Sequence, residues 1–298
     1  MGVKGYVMQA QPFSVNDGDG IRTILFLAGC PMHCKWCSNP EGMQATQKVG
    51  WYERNCIGCG ACAKVCPQHI GINLNLQREH CISCGACVAA CPKGARSFLV
   101  SYHDADDLIK AVEKDATFLR GSNGGVTFSG GEATYQTELL DYLSQKLYDL
   151  GYSLDIETCG YFNFDKVKHI LARMDLIFMD IKHMDDEKHR FYTGLGNEQT
   201  LANVSRLNEV DARVVIRIPT IGGVNDDEEN IRATACYVHE HLPKARIELL
   251  PYHKYGTIKY EALGLEQPTT DFYRPDAAAL EHLRDIVRSE GVDVADFR

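Results

Sequence analysis

Eleven of the chain's thirteen cysteines fall between Cys30 and Cys91, at repeated short intervals. Core thiols scatter through a sequence; cysteines gathered at fixed spacings point to bound metal, and the fold must bring their loops together. The first set is Cys30-Pro-Met-His-Cys34-Lys-Trp-Cys37, directly after the apolar run Ile24-Leu25-Phe26-Leu27 and the turn residue Gly29. It reads as a buried strand emptying into a loop that folds round a metal centre. Three thiolates are one short of the four a cubane iron–sulfur cluster takes. An iron without a protein ligand can accept a substrate or cofactor. On spacing alone the alternative is structural zinc, closed by a fourth donor such as His33. A disulfide is disfavoured in a chain with this cysteine usage and no secretory signal.

After Ser38-Asn39-Pro40-Glu41-Gly42 the composition shifts, and residues 48–98 carry an internal repeat. Cys56-x2-Cys59-x2-Cys62-x3-Cys66-Pro67 is followed by Cys81-x2-Cys84-x2-Cys87-x3-Cys91-Pro92. Two copies of this run are the signature of bacterial two-cluster ferredoxins, in which the fourth cysteine of each run serves the other cluster. One set is then Cys56, Cys59, Cys62 and Cys91, and the other Cys81, Cys84, Cys87 and Cys66. Gly58, Gly60, Ala61, Gly85 and Ala86 let the backbone wrap closely round such clusters. So short a segment builds little apolar core, and the clusters are expected to serve as one.

Elsewhere strands alternate with helices. Counting from Ile24, strands are expected at Gly124–Ser129, Ser153–Thr158, Leu176–Lys182, Arg213–Thr220 and Arg246–His253. Helices are expected at Asp104–Arg120, Gln136–Leu150, Phe164–Met174, Asn197–Val210, Asp226–Leu242 and Asp276–Glu290. A short strand at Tyr6–Met8 precedes them. Such alternation implies a parallel sheet with right-handed crossovers, and its active site lies at the C-terminal strand ends. Cys30, Glu132, Glu157, Thr158, Asp180, Lys182 and His253 all lie at or just past such ends. Polar residues recurring there favour one shared site. The loop Asp17–Thr23 reads equally as a hairpin connection or as packing beneath the cluster. Cys159 and Cys236 read as buried small hydrophobes. His183, His189 and Tyr192 read as a solvated helix face. Trp36 is expected to pack against the cluster or the insert.

The chain has 298 residues, 45% hydrophobic and 24% charged, as in a soluble globular protein. A net charge of −9 gives no electrostatic support to a nucleic-acid partner. No apolar run approaches the ~20 residues of a membrane helix. The opening Met1-Gly-Val-Lys-Gly-Tyr6 lacks a secretory pattern, and Tyr6 replaces the Ser or Thr that myristoylation needs. The expectation is a cytoplasmic, reducing and anaerobic setting, with neither nucleic acid nor membrane as partner.

Taken in order, Ser14–Thr23, the Cys30–Cys34–Cys37 loop, the duplicated run, Val126-Thr-Phe-Ser-Gly-Gly-Glu132, Asp180-Ile-Lys182 and Leu249-Leu-Pro-Tyr-His253 resemble the radical S-adenosylmethionine (SAM) superfamily. More narrowly, they resemble activating enzymes of glycyl radical enzymes, pyruvate formate-lyase activating enzyme among them, in the subgroup with a two-cluster ferredoxin insert. The resemblance implies an α/β fold: a partial (β/α)6 TIM-like barrel at 1–47 and 99–298, with a ferredoxin-like domain inserted at 48–98. It implies three [4Fe–4S] clusters, one on Cys30, Cys34 and Cys37 that binds SAM through its open iron. Gly130, Gly131 and Glu132 would meet the SAM amino group, Lys182 and Arg217 its carboxylate, His253 its adenine or ribose, and Asn39 would approach it. Glu157, Thr158 and Asp180 resemble a monovalent-cation site. The implied reaction is reductive cleavage of SAM to a 5′-deoxyadenosyl radical, which takes hydrogen from a backbone glycine of the partner. The partners are a glycyl radical enzyme and a flavodoxin or ferredoxin donor. The sequence departs from the family at Ala133, where Pro is frequent, at Asp19 within Asp17-Gly-Asp19-Gly20, and at Glu157, where Asp is frequent. Two rivals are an electron-transfer protein and a radical SAM enzyme with another substrate.

Overall fold

A computed structural model describes residues 2–266 and 271–297. Its strands are β1 (Lys4–Ser14), β2 (Arg22–Leu27), β3 (Lys48–Trp51), β4 (Arg96–Asp104), β5 (Gly125–Gly130), β6 (Ser153–Thr158), β7 (Leu176–Asp180), β8 (Arg213–Thr220) and β9 (Arg246–Pro251). Its helices are α1 (Ala61–Lys64), α2 (Ala86–Ala89), α3 (Ala105–Glu113), α4 (Ala116–Gly121), α5 (Thr137–Asp149), α6 (Phe164–Leu171), α7 (Asp186–Thr193), α8 (Glu198–Arg206), α9 (Glu228–His241), α10 (Thr257–Leu263) and α11 (Ala277–Ser289). Among the described residues no helix is long and apolar enough to cross a membrane.

The chain is mixed α/β, with one nine-stranded sheet in the order β3-β4-β1-β2-β5-β6-β7-β8-β9. From β2 through β9 in that order, neighbouring strands are parallel. On the other side β1, β4 and β3 are added antiparallel. The parallel strands are apolar because helices cover them: Leu25, Leu27, Val126, Phe128, Leu154, Ile156, Ile177, Ile216 and Ile247 share one core with α3, α5, α6, α9 and α11. Side-chain caps start the helices: Asp104, Asn163, Asp185, Asp227 and Asp276 each accept a backbone N–H of the first turn.

Several expectations need correction. The single helix over Asp104–Arg120 is broken into α3 and α4, and Phe118 is exposed. Asp104 belongs to β4, which pairs with β1, so the helix starts only after that strand ends. β1 is much longer than Tyr6–Met8 because β2 and β4 both pair with it. The strands β3 and β4 at the two margins of the cysteine-rich segment form the outermost hairpin of the same sheet. That segment also holds a small apolar cluster of Val49, Trp51, Ile70 and Leu74, with Cys66, Cys81 and Cys87 packed against it.

The Asp17–Thr23 loop is a hairpin connection between antiparallel β1 and β2, at the opposite end of β2 from Cys30. Thr127 Oγ1 donates to the Asp17 carbonyl at 2.7 Å. Arg22, fully buried, donates to Thr127 Oγ1, Val126 O and Ser153 O and pairs with Asp155 at 3.2 Å. Burial pushes the Asp155 carboxyl up to about 7 even with Arg22 beside it. At the far side of the sheet, residues after α11 lie along β9. Ile247 N–H donates to Asp293 O, Ala295 N–H donates back to Ile247 O, and Phe297 N–H reaches Glu248 Oε1 at 3.1 Å.

Candidate active site at the strand ends

Each parallel strand delivers one piece of the site where it stops. β2 ends at Leu27, and Gly29, at φ +100, turns the chain into the Cys30–Cys37 loop. β5 runs out through Gly130 and Gly131 to Glu132, and Gly131 lies so close to the Gly29 turn that a Cβ there would meet the carbonyls of Gly42 and Gly29 at 2.5 and 2.6 Å. Only glycine permits that approach. Glu132 N–H donates to Gly29 O at 2.7 Å, and Asn39 Nδ2 donates to Gly130 O at 3.4 Å. The cysteine loop and the Gly-Gly-Glu turn are therefore stitched together.

The Glu132 carboxylate is buried and accepts from Thr134 N–H and Oγ1, from Thr158 Oγ1 and, at 2.7 Å, from Cys159 N–H. It organises the ends of β5 and β6. Lys182, just past β7, is buried and donates to Asp180 Oδ2 at 2.8 Å. Burial opposes its charge, but Asp180 and the nearby sulfurs of Cys34 and Cys159 outweigh burial and hold the ammonium above its usual range. Arg217 on β8 donates to Glu248 at 2.7 Å and to Glu157, with its plane 3.6 Å from the Phe178 ring. Ser129 donates to the other oxygen of Glu157. His253 lies past β9 and stacks on Tyr255 at 4.4 Å.

The expected cation ligands stand at adjoining strand ends, but their polar groups are engaged separately: Glu157 by Arg217 and Ser129, Thr158 by Glu132, Asp180 by Lys182. Among the described residues no three His, Cys, Asp or Glu side chains are drawn up round one ion.

The cysteine loop fits an iron–sulfur group by the chemistry of its donors. Cys34 and Cys37 are enclosed and the three thiols lie near enough to act on one another electrostatically, whereas His33, the alternative fourth zinc ligand, is exposed. Burial pushes the Cys34 thiol up to about 11 and that of Cys37 to about 12. Such thiols need a strongly bound cation to stay deprotonated. The loop is fixed from outside as well: His33 N–H and Lys35 N–H donate to Thr193 O and Tyr192 O of α7, and Asn39 N–H donates to Cys37 Sγ at 3.4 Å.

Several contributors escape sequence reasoning. Cys159 is buried as expected, but it stands beside Cys30, whose thiol it pulls down while its own is pushed well up, so it is a fourth sulfur near the site. Its position just after Glu157-Thr158 was the available signal. α10 carries no sequence pattern pointing to the site, yet Lys259 Nζ meets Asn39 Oδ1 and Glu41 Oε1, each at 2.6 Å, and Tyr260 hydroxyl donates to Cys37 O at 3.1 Å. His183 and His189 are buried, not solvated, because α7 packs beneath the cysteine loop. Trp36 packs on Tyr192, Ile221, Val224 and Phe272, with Cys34 of the cysteine loop in the same group. Cys236 is exposed and meets Glu290 across α9 and α11.

The cysteines of residues 48–98 line two adjacent cavities. Cys62, Cys66, Cys81, Cys84 and Cys87 border one, together with Val49 and Leu74. Cys56, Cys59, Cys62 and Cys91 border the other, with Trp51 and Ile72.

Residues 24–235 match the model of the radical SAM superfamily. The chain belongs to that superfamily. It is 36% identical to the choline trimethylamine-lyase activating enzyme of Oleidesulfovibrio alaskensis, over 99% of this chain and 98% of that protein. It is also 36% identical to the 4-hydroxyphenylacetate decarboxylase activating enzyme of Clostridioides difficile, over 97% and 95%. Full-length similarity at this level makes the chain one of these activating enzymes. A radical SAM methyltransferase from Sphaerobacter thermophilus shares the fold, with a TM-score of 0.55, 14% identity, and coverage of 97% of this chain and 76% of that one.

Proposed function

We propose that this radical SAM enzyme forms a radical on one backbone glycine of a partner glycyl radical enzyme. The observation that carries the reading is the gathering of the Cys30–Cys37 loop, the Gly-Gly-Glu turn and Lys182 at the ends of β2, β5 and β7. Cys30, Cys34 and Cys37 would hold a [4Fe–4S] cluster. When bound, that cluster supplies the electron that splits SAM into methionine and the 5′-deoxyadenosyl radical, which removes hydrogen from the glycine.

The chain's own residues bind and orient. Lys182, kept charged by Asp180, offers its ammonium to the SAM carboxylate. The Gly130–Gly131 backbone, held by Asn39, and the buried Glu132 carboxylate face the SAM amino group. Arg217 supports the carboxylate end from the next strand while balancing Glu157 and Glu248. His253 and Tyr255, stacked past β9, present a flat surface to the adenine. Exclusion of water by the docked glycine loop protects the radical.

Residues 48–98 are proposed as a ferredoxin-like insert in a partial (β/α)6 barrel. Cys56, Cys59, Cys62 and Cys91 would hold one cluster and Cys81, Cys84, Cys87 and Cys66 another. The two cysteine-lined cavities support the crossed assignment, since Cys66 lies with the second run and Cys91 with the first, while Cys62 borders both. A flavodoxin or ferredoxin would supply electrons, in a cytoplasmic setting that keeps these thiols reduced.

The test is electron paramagnetic resonance on anaerobic, iron-loaded protein given SAM, a reductant and a candidate glycyl radical enzyme. A glycyl radical doublet on the partner supports the reading. Deoxyadenosine without a doublet means another substrate. With all clusters loaded and neither product formed, the electron-transfer reading replaces it.

A further inference from the structure

The two cysteine-lined cavities do not stand in equivalent positions relative to the SAM site. β3 leaves the site and passes both in turn. Lys48 Nζ donates to Glu41 O at 2.9 Å, beside the cysteine loop. Val49, the next residue, lines the cavity of Cys66, Cys81, Cys84 and Cys87. Trp51 lines that of Cys56, Cys59 and Cys91. Each strand residue advances about 3.3 Å, so the site, the first cavity and the second follow one another along the strand.

A second connection reaches the same first cavity. The Cys37 carbonyl accepts from the Tyr260 hydroxyl of α10 at 3.1 Å. Two residues on, Ala262 O accepts from Arg78 Nη2 at 2.7 Å, and Glu261 O accepts from Asn75 Nδ2 at 2.9 Å. Arg78 O in turn accepts from Cys81 N–H at 2.9 Å. Gln47 Nε2 adds a bond to Ser83 O at 2.7 Å, between Cys81 and Cys84. Three segments, Gln47–Val49, Asn75–Cys81 and α10, thus bind the Cys81–Cys87 run to the Cys30–Cys37 loop. The two runs differ in what surrounds their glycines: a Cβ placed on Gly58 or Gly60 would meet nothing within 4 Å, whereas one on Gly85 would strike Phe98 at 2.3 Å.

We infer that Cys66, Cys81, Cys84 and Cys87 form the inner electron station and Cys56, Cys59, Cys62 and Cys91 the outer one. This rests on the proposed reading of the insert as a two-cluster segment. A reduced one-electron carrier protein loses one electron to the outer station. One electron passes to the inner station, and one arrives at the SAM site for each SAM cleaved, so the carrier leaves oxidised by one.

The order is read magnetically, without turnover. In reduced holoenzyme with SAM, the resonance of the SAM-bound cluster relaxes faster when a paramagnetic neighbour is close. Removing the inner station with Cys81→Ala and Cys84→Ala should slow that relaxation several-fold. Removing the outer one with Cys56→Ala and Cys59→Ala should leave it nearly unchanged. Equal effects, or a larger effect of the outer pair, overturn the order. Should either pair lose both clusters, Cys84→Ser and Cys59→Ser keep each cluster and shift its own signal. The signal that broadens with the SAM-bound cluster must then be the one Cys84→Ser moves; if Cys59→Ser moves it, the order is wrong. An iron count of one cluster in the unaltered protein would overturn the two-cluster reading itself, a result distinct from either.

Discussion

Arg217 neutralises two carboxylates inside the sheet, and replacing it by methionine should destabilise the protein most at neutral pH. Its side chain is 7% exposed, that of Glu248 3% and that of Glu157 22%. Methionine retains the apolar contact with Phe178 but removes the charge. Deleting one partner of a buried ion pair costs about 3–5 kcal/mol, because the remaining charge is left unpaired. Here Glu248 keeps the Phe297 N–H and Glu157 keeps the Ser129 hydroxyl, so about 3 kcal/mol is expected. The pH dependence follows from Glu157. Burial already holds its carboxyl above the usual range, and Arg217 is the main opposing influence, so Arg217→Met raises it further. A carboxyl raised in the folded state binds more protons there than in the unfolded chain. Its penalty is absent below the unfolded value of about 4.3 and grows as pH rises through the folded one. The deficit of the variant should therefore be largest near pH 8 and shrink towards about pH 5.5. Urea unfolding of both iron-loaded proteins at the two pH values measures it. A deficit under about 1 kcal/mol, or one equal at both pH values, would refute the argument that these carboxylates depend on the guanidinium.

Three further outcomes are expected. Lys182→Met should weaken SAM binding about tenfold, as expected for one charge-assisted hydrogen bond, while iron content stays the same; titration of the SAM-dependent resonance measures it. Gly131→Ala should prevent normal loading of the Cys30–Cys37 loop, because its Cβ meets two backbone carbonyls at 2.5 and 2.6 Å; Gly60→Ala, with open space but φ +71, should cost only about 1 kcal/mol and retain iron. Cys159→Ala should make the SAM-binding cluster harder to reduce, because the Cys159 thiol lies beside the Cys30 sulfur and favours its more negative state. Potentiometric titration checks it, and an unchanged potential would count against that contact.

Much of this architecture was legible because the signals are local. Ile24–Leu27, Leu176–Met179 and Val214–Ile218 announce buried strands by composition, and Asp227 and Asp276 announce helix starts by their short capping side chains. The strand-end polar residues were legible for the same reason, since parallel strands send their C-terminal ends to one face. What escaped depends on partners distant in sequence. The extent of β1 is set by β2 and β4, the burial of His183 and His189 by the fold of α7 under a loop some 150 residues earlier, and the role of Tyr260 by Cys37, 223 positions away. Cys159 looks like a core thiol in its own segment; only the meeting of β2 and β6 ends gives it a sulfur neighbour.

The residues that follow α11 bear on how this protein should be handled. Asp293 and Ala295 occupy the free edge of β9, and Phe297 N–H holds Glu248, which holds Arg217, which holds Glu157. An exposed strand edge invites pairing with other chains, so this segment guards against aggregation while touching the Arg217 network. A substitution or label placed among residues 293–297 would reach Glu248 and, through it, Arg217, so this edge is the one to leave unaltered when the protein is purified.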